Sequence, residues 1–268
     1  MLKRSLFQLL PGRLKATLYY RVFCPRRKNC TAWFEDAPLL LEPTVRMRLS
    51  PSDSFHGEIA FCGIYEADES RAIHMLAKEQ GGLLVDVGAN YGYYTLLWCA
   101  ARPDNRAVAI EASPRNAQAL RENVARNNLT SRVRVVECAV TRETGRISFD
   151  LGSAEETGWG GIASGLEGGT ISVPAERLDR LVSEPVRVLK VDCEGADAWV
   201  VEGATALLDS GNISHVFFEE NVWRQERLGI AAGSAQDRLR RAGFEIQGIG
   251  KGPPFANHHA SHVSSGGC

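Results

Sequence analysis

The stretch Val85-Asp-Val-Gly-Ala-Asn-Tyr-Gly92 decides the fold, because it joins an apolar strand-like run, residues 83–87, to a helix-like segment, residues 93–101. A strand, a glycine-containing turn and a helix in this order form the first βα unit of a nucleotide-binding sheet. Gly88 and Gly92 allow the backbone to turn sharply and to approach a ligand closely. We therefore predict that a ligand lies at this turn.

The segments around this turn alternate between strand and helix. Strands are predicted at 107–110, 133–140, 147–151, 171–174, 186–191, 216–218 and 244–249, and helices at 68–78, 114–127, 175–181, 197–208 and 234–242. Apolar strands that alternate with helices indicate an α/β domain with a mostly parallel sheet and helices on both of its faces. This domain is expected to span residues 70–250.

A basic extension precedes the domain. Residues 1–34 carry eight Lys or Arg and no Asp or Glu, and a helix over 13–23 would be basic and amphipathic. Such a helix either contacts an anionic membrane surface or packs on the core, and the sequence leaves both interpretations open. The formal net charge of −1 for the whole chain gives no reason to expect a nucleic-acid partner.

Two further segments flank the domain. Residues 35–69 are predicted to form irregular strands, including 44–49 and 59–65, that cap the ligand site. Residues 251–268 are rich in Pro, Gly, Ser and His and are predicted to be a flexible tail without a metal site. The seven cysteines contain no CxxC pair, and no run of 18 apolar residues occurs, which favours a cytoplasmic protein with, as a hypothesis, a peripheral membrane contact through the basic extension.

The identity of the ligand follows from Asn90. A dinucleotide site requires G-x-G-x-x-G, because the pyrophosphate lies against a bare helix N-terminus. Asn90 replaces the middle glycine, which disfavours a nicotinamide cofactor and favours one without phosphates, such as S-adenosylmethionine. Glu111 ends the next strand, where a carboxylate can accept hydrogen bonds from both ribose hydroxyls. Asp86 is expected either to cap the helix or to accept a bond from the methionine ammonium.

A second charged segment, Lys190-Val-Asp-Cys-Glu-Gly195, ends a buried strand. Three charges at such a place are costly unless they are paired or used. Asp192 or Glu194 could act as the base that removes a proton from a methyl acceptor. The alternative is an ion pair of Lys190 with Asp192 or Glu194 that only holds the loop.

The chain resembles the FkbM-type methyltransferases. The resemblance covers about residues 70–250. It rests on V-D-V-G-A-N-Y-G-Y-Y-T (85–95), A-I-E-A-S-P (109–114), A-V (139–140), L-K-V-D-C-E-G (189–195), G-A (203–204) and F-F-E-E-N (217–221). It departs from the family pattern at Ala112, where the family has a proline, and at Asp197, where it often has Glu.

The resemblance implies a Rossmann-like class I methyltransferase fold and O-methylation of a hydroxyl on a sugar, glycolipid or other small molecule. N-methylation of an amine or protein side chain and a non-catalytic cofactor-binding module remain alternatives. Under this hypothesis Lys190, Asp192 and Glu194 are catalytic. Cofactor contacts are expected from Asp86, Gly88, Asn90, Gly92, Glu111, Ala112, Cys138 and Ala139. Acceptor contacts are expected from Trp159, Ser164, Glu219 and Glu220.

Overall fold

The computed structural model describes residues 14, 17–153, 157–165, 169–250 and 255–262. The strands are β1 (Ala37–Pro38), β2 (Arg46–Met47), β3 (Leu83–Val87), β4 (Arg106–Ile110), β5 (Val133–Val136), β6 (Ala139–Val140), β7 (Gly145–Asp150), β8 (Gly161–Ile162), β9 (Thr170–Glu176), β10 (Val186–Val191), β11 (Ile213–Asn221), β12 (Phe244–Ile249) and β13 (Phe255–His262). The α-helices are α1 (Thr31–Glu35), α2 (Ser54–Cys62), α3 (Ala67–Glu79), α4 (Tyr93–Ala101), α5 (Pro114–Arg126), α6 (Leu178–Leu181), α7 (Asp197–Gly203), α8 (Thr205–Asp209), α9 (Val222–Arg227) and α10 (Ser234–Arg241). Short π- or 3₁₀-helical segments cover Tyr19–Phe23, Cys24–Asn29 and Thr157–Trp159.

The central sheet contains seven strands in the order β12-β13-β11-β10-β3-β4-β5. The strands from β11 to β5 run parallel to one another. Strand β13 is antiparallel to both of its neighbours, so β12 again runs in the direction of β11. The prediction of a Rossmann-like α/β fold with a mostly parallel sheet is confirmed.

Helices cover both faces of this sheet. All five side chains of β3 are buried, which requires an apolar layer on each side. On one face Leu84 belongs to a core cluster with Leu97 of α4, while α3 and α5 pack on the same side. On the other face Val85 belongs to a second cluster with Val200 of α7 and Leu239 of α10.

A second, four-stranded sheet with the order β6-β9-β7-β8 follows β5 along the chain. The strand predicted at 133–140 therefore divides into two, because β6 leaves the central sheet and pairs with β9. This break brings Cys138 and Ala139 to the cavity at the edge of the central sheet. Phe149 of β7 lines the same cavity, so the small sheet supplies one of its walls.

The prediction of a flexible tail is wrong for residues 255–262, which form β13 between β11 and β12. The segment contains no β-branched or apolar pattern that would have predicted a strand. Its stability comes from its neighbours, because backbone pairing on both sides is combined with stacking of histidine rings on phenylalanines. The ring of His259 lies 4.3 Å from that of Phe217, and Ala260 is buried. The rest of the predicted tail lies outside the described residues.

The strand prediction at 59–65 is also wrong, since most of this run belongs to α2. Asp53 caps the helix by accepting hydrogen bonds from the N–H groups of Phe55 and His56. Gly63 ends it in the left-handed conformation. An apolar run of this length fits a buried helix as well as a strand, so its composition alone did not distinguish the two.

The described part of the basic extension packs on the core at Tyr19. The Tyr19 side chain is buried, its hydroxyl donates to the Ser54 carbonyl over 2.5 Å, and its ring contacts Phe61. These contacts support the core-packing interpretation at this residue, although the neighbouring Tyr20 and Val22 remain exposed. Within the described ranges, no helix has the length and apolar character needed to cross a bilayer.

Candidate active site

The glycine turn packs directly against the end of β10. Gly88 has a φ of +79°, and a Cβ atom there would lie 1.9 Å from the carbonyl oxygen of Asp192. Only glycine allows this approach, which brings the first turn and the charged segment after β10 together. Asn90 also has a positive φ, +49°, and its side-chain Oδ1 is buried without a hydrogen-bond partner among the described residues.

Glu111 connects the ends of β3 and β4. Its carboxylate accepts hydrogen bonds of 2.8 Å from the N–H groups of Asn90 and Ser113. Burial raises the pKa of Glu111 to about 7, although these two bonds lower it. The same side chain lines the cavity. Glu111 therefore holds the turn and at the same time faces the space that a ligand would occupy.

Asp86 serves the start of α4, as one of the two sequence hypotheses proposed. Its carboxylate accepts hydrogen bonds from the backbone N–H and the hydroxyl of Thr95 over 3.1 and 2.6 Å. Burial raises the pKa of Asp86 to about 6. Asp86 also lines the cavity, so the structure leaves room for a ligand contact in addition to the cap.

Lys190 lies fully buried under the cavity wall. Its Nζ is 3.1 Å from a carboxylate oxygen of Glu69 and 3.5 Å from one of Asp192. The ammonium also lies 5.2 Å from the centre of the Tyr94 ring. The structure contains the Lys190–Asp192 ion pair that the sequence suggested, but Glu69 lies closer to Lys190, and Glu194 pairs with Arg224.

Glu194 follows the end of β10, and Glu219 lies near the end of β11. A Glu194 carboxylate oxygen is 3.5 Å from Arg224 Nε. Burial, followed by the charge of Asp192, raises the pKa of Glu194 to about 8. Burial and the neighbouring carboxylates, of which Asp192 contributes most, raise the pKa of Glu219 to about 9. Both groups can therefore hold a proton near neutral pH and release it under mildly basic conditions.

Asp197, the departure from the family pattern, is a buried structural group. Its side chain accepts a 3.2 Å hydrogen bond from the Glu219 backbone N–H. Burial raises the pKa of Asp197 to about 7.

A cavity of about 650 Å³ joins these groups. Most predicted site residues line it. They are Asp86, Gly88, Asn90, Glu111, Ala112, Cys138, Ala139, Trp159, Lys190, Asp192, Glu194 and Glu219. Among the described residues, no group of three or more His, Cys, Asp or Glu side chains has the geometry of a metal site.

Three predicted site residues do not line the cavity. Gly92 directly precedes α4 with a φ of +91°, and a Cβ atom there would lie 2.5 Å from a methyl carbon of Leu120. Ser164 is exposed on the surface. Glu220 points to the opposite side of β11 from Glu219, where it accepts hydrogen bonds of 2.7 Å from the Gly233 N–H and the Gln236 side chain. Successive residues of a strand face opposite sides, which explains why only one of the two glutamates reaches the site.

Trp159 ends the short 3₁₀ segment between β7 and β8 and lines the cavity. Arg224 holds it there, since an Nη donates to the Trp159 carbonyl over 2.9 Å and the guanidinium lies 5.4 Å from the ring centre. Sequence reasoning assigned no role to Arg224, whose position depends on contacts between distant parts of the chain.

Other site residues were also missed, chiefly Glu69 and an aromatic group formed by Tyr65, Tyr93 and Tyr94. A signal for Glu69 was present: it shares a helix face with Ile73 and Leu76, both of which are buried. A charged residue on the apolar face of an amphipathic helix requires a buried partner, and Lys190 is that partner. Tyr93 and Tyr94 directly follow the glycine turn, at the start of an apolar helix whose sequence does not show which side chains face the cavity.

The cavity fits a cofactor that combines an adenosine with cationic groups. Glu111 is a buried acceptor at the end of β4, where a ribose would bind. Asn90 offers a buried oxygen that has no hydrogen-bond partner in the described part of the chain. Asp86 and the other carboxylates in the wall favour a sulfonium or ammonium group.

The chain is similar to several known methyltransferases. The chain is 25% identical over 181 residues to the 2-O-methyltransferase NoeI of Sinorhizobium fredii (strain NBRC 101917 / NGR234), covering 60% of this chain and 73% of that protein. It is similar to the structure of methyltransferase FkbM from Methylobacillus flagellatus KT, with 13% identity, a TM-score of 0.49 and coverage of 90% of this chain and 60% of that one. A precorrin-6y C5,15-methyltransferase from Geobacter metallireducens GS-15 has 13% identity, a TM-score of 0.43 and coverage of 72% and 88%.

A family model described as the methyltransferase FkbM domain matches residues 86–246, more than half of the chain. The matched region runs from Asp86 in the first strand of the site to Ile246 in β12, so it contains the glycine turn, Glu111 and the charged segment after β10. The methyl donor of such an enzyme is S-adenosylmethionine. The chain belongs to the FkbM family of S-adenosylmethionine-dependent methyltransferases.

Proposed function

We propose that this methyltransferase transfers a methyl group to a hydroxyl oxygen of a small-molecule acceptor, such as a sugar, a glycolipid or another natural product. One observation carries the proposal: the carboxylates of Asp192, Glu194 and Glu219 face the same cavity as the glycine turn and Glu111. A hydroxyl must lose its proton during methylation, and a carboxylate within hydrogen-bond reach can accept it. The similarity to a 2-O-methyltransferase supports the same target atom.

Bound S-adenosylmethionine supplies an activated methyl group on a positively charged sulfur. The protein therefore has two tasks, to align the acceptor oxygen and to remove its proton. Asp192 is the best-placed base, since Lys190 holds its carboxylate at the cavity wall. The buried Glu69 in turn orients Lys190. Glu194 and Glu219 are the remaining candidates, with pKa values raised to about 8 and about 9.

The first experiment identifies the modified atom. Methyl-labelled cofactor is incubated with the protein and a panel of sugars, glycolipids and amines, and each product is analysed by mass spectrometry. An O-methyl product is expected. An N-methyl product would move the assignment to amines or protein side chains, and S-adenosylhomocysteine binding without any product would indicate a non-catalytic module.

The second experiment tests the base. We expect Asp192→Asn or Glu194→Gln to lower turnover by on the order of 10² or more, the usual scale for loss of a general base. Cofactor affinity should stay within about threefold, because the amides keep the shape of the side chains. Glu184→Gln is the matched control, since this carboxylate pairs with Arg106 outside the cavity. Near-normal turnover in both amide variants would refute the assignment and leave Glu219.

An ion-pair role gives a different pattern. Lys190→Met leaves Glu69 as a buried, unpaired carboxylate, so it should lower the melting temperature more than either amide variant does. If the amide variants lose as much stability as Lys190→Met and retain turnover, the charged segment only holds the loop.

A further inference from the structure

In the part that the structure describes, the wall of the cavity is acidic and offers a ligand no free cation. Among the described residues that line it, nine are Asp or Glu, and Lys190 is the single Lys or Arg. The Lys190 side chain is 1% exposed and is already surrounded by Glu69 at 3.1 Å and Asp192 at 3.5 Å. In the described part of the cavity, an acceptor would therefore meet carboxyl groups without an accessible positive charge.

Arg224 does not change this balance, although it lies near the cavity. Its guanidinium pairs with Glu194 at 3.5 Å and donates to the Trp159 carbonyl. These contacts use the charge of Arg224 within the protein.

The carboxylates already act on one another through the low-dielectric interior. The charges of Asp192, Asp197 and Glu194 add to burial in raising the pKa of Glu219. The same potential acts on any charge that a ligand brings. It disfavours a phosphate, sulfate or carboxylate and favours a cation or a neutral group.

The uncharged side chains of the wall also favour a neutral or cationic ligand. Aromatic rings face the cavity from Phe55, Tyr65 and Trp159. Such rings pack on apolar faces of a ligand and attract cations. Carboxylate oxygens only accept hydrogen bonds when ionised, so they need donors from the ligand.

We propose that the acceptor is bound by its hydroxyl or ammonium donors and places no phosphate, sulfate or carboxylate in this cavity. This inference rests on the proposed function, because it concerns the acceptor of the same site. It predicts discrimination by charge among acceptors of equal size and shape.

Initial rates on three acceptors with one hexose ring test this discrimination. The probes are methyl glucoside, methyl glucosaminide and methyl glucuronide, incubated with methyl-labelled cofactor. Methyl glucuronide should react at least about tenfold more slowly than the faster of the other two, which corresponds to about 1.4 kcal/mol. A faster reaction of the glucuronide would overturn the inference. If none of the three reacts, the measurement of Trp159 quenching decides the inference separately from the proposed function.

Trp159 reports the potential of the cavity without any acceptor. The difference in fluorescence between the protein and Trp159→Phe isolates this residue, and quenching by caesium and iodide is normalised to free N-acetyltryptophanamide at equal ionic strength. Caesium should quench at least about threefold more efficiently than iodide. The ratio should fall in an Asp192→Asn variant, which removes a carboxylate from the wall, and stay unchanged in Glu184→Gln, whose carboxylate lies outside the cavity. Equal or stronger quenching by iodide would overturn the inference.

Discussion

Glu111 combines a structural and a ligand-facing role in one side chain. Its carboxylate accepts hydrogen bonds from the N–H groups of Asn90 and Ser113 and also lines the cavity. We expect Glu111→Ala to weaken S-adenosylhomocysteine binding by roughly 1.5 to 3 kcal/mol, the size of a charge-linked hydrogen bond. Isothermal titration calorimetry measures this loss, and NAD should show no binding to the unmodified protein.

A matched variant separates the two roles of Glu111. Glu111→Gln keeps an oxygen that can accept one of the two backbone bonds, so it should preserve more of the melting temperature than Glu111→Ala does. Unchanged cofactor affinity in Glu111→Ala would remove this residue from the binding site, and tight NAD binding would contradict the cofactor assignment.

At the residue scale, the sequence predicted which residues lie near the ends of strands, but it did not predict which way their side chains point. Asp86 lies near the end of β3, and Glu111 and Asp192 directly follow β4 and β10. These strand ends meet at one edge of a parallel sheet, and all three residues line the cavity. Glu220 was misassigned because the face that each residue of β11 presents depends on its register in the sheet. The pairing of Lys190 with Glu69 depends on tertiary structure that links two distant segments.

Among the elements, β13 shows how tertiary contacts can form a strand from a weakly predictive sequence. Ala260 is fully buried and lies opposite Val216 and Ile246 in the neighbouring strands. Ala260→Asp places an unpaired charge there and should lower the free energy of unfolding by on the order of 3 kcal/mol or more, as measured by urea denaturation. Gln247→Asp is the control, since it places the same charge at an exposed residue of the neighbouring β12. Equal stability of Ala260→Asp and the unmodified protein would mean that β13 is not part of the folded sheet.

The elements predicted correctly share a strong local signal. β3 and α4 are joined by a glycine turn, and α5 begins with a Ser113 cap followed by proline. By contrast, the pattern at 59–65 was apolar without a period, so either a helix or a strand was compatible with it.

The basic extension carries a separate prediction, contact with an anionic membrane. In its described part Tyr20 is 62% exposed, and the basic residues Arg21 and Arg26 are exposed beside it. Each basic residue near an anionic surface contributes about 1 kcal/mol, so Arg21→Glu/Arg26→Glu should weaken binding to phosphatidylserine vesicles by at least about tenfold at low salt. Sedimentation with vesicles measures this effect, and Arg240→Glu, an exposed residue of α10, is the control. Absence of vesicle binding by the full chain would contradict the hypothesis.

For the whole molecule, the charge is divided between its parts. The chain has 31 Lys or Arg and 32 Asp or Glu, yet the charged residues among the first 34 are all Lys or Arg. The acidic excess therefore belongs to the remainder, and part of it lines the cavity at the carboxyl edge of the sheet. The sequence predicted the edge at which these groups meet, while their mutual burial depends on the packed structure.

This burial predicts how stability depends on pH. The pKa values of Asp197, Glu194 and Glu219 are raised to about 7, about 8 and about 9, mainly by burial. In the unfolded chain these groups ionise near pH 4, so above that pH the folded state binds more protons than the unfolded state. Their contribution to stability is full below the unfolded pKa and is lost as the pH rises through the folded values. The melting temperature should therefore fall between about pH 6.5 and pH 9, a range that lies at or above the ordinary histidine pKa of about 6.5.

Calorimetric melting curves across this range test the prediction, with variants that remove one titrating group at a time. Asp197→Asn retains an oxygen that can accept the Glu219 N–H, and it should reduce the fall in melting temperature, as should Glu219→Gln. Glu184→Gln should leave the fall unchanged, since the Glu184 side chain is 44% exposed and pairs with Arg106 outside the cavity. Stability falls as the pH rises only where the folded state holds a proton more tightly than the unfolded state does. A melting temperature that is constant or rises from about pH 6.5 to pH 9 would therefore show that these carboxyl groups are ionised in the folded protein at neutral pH.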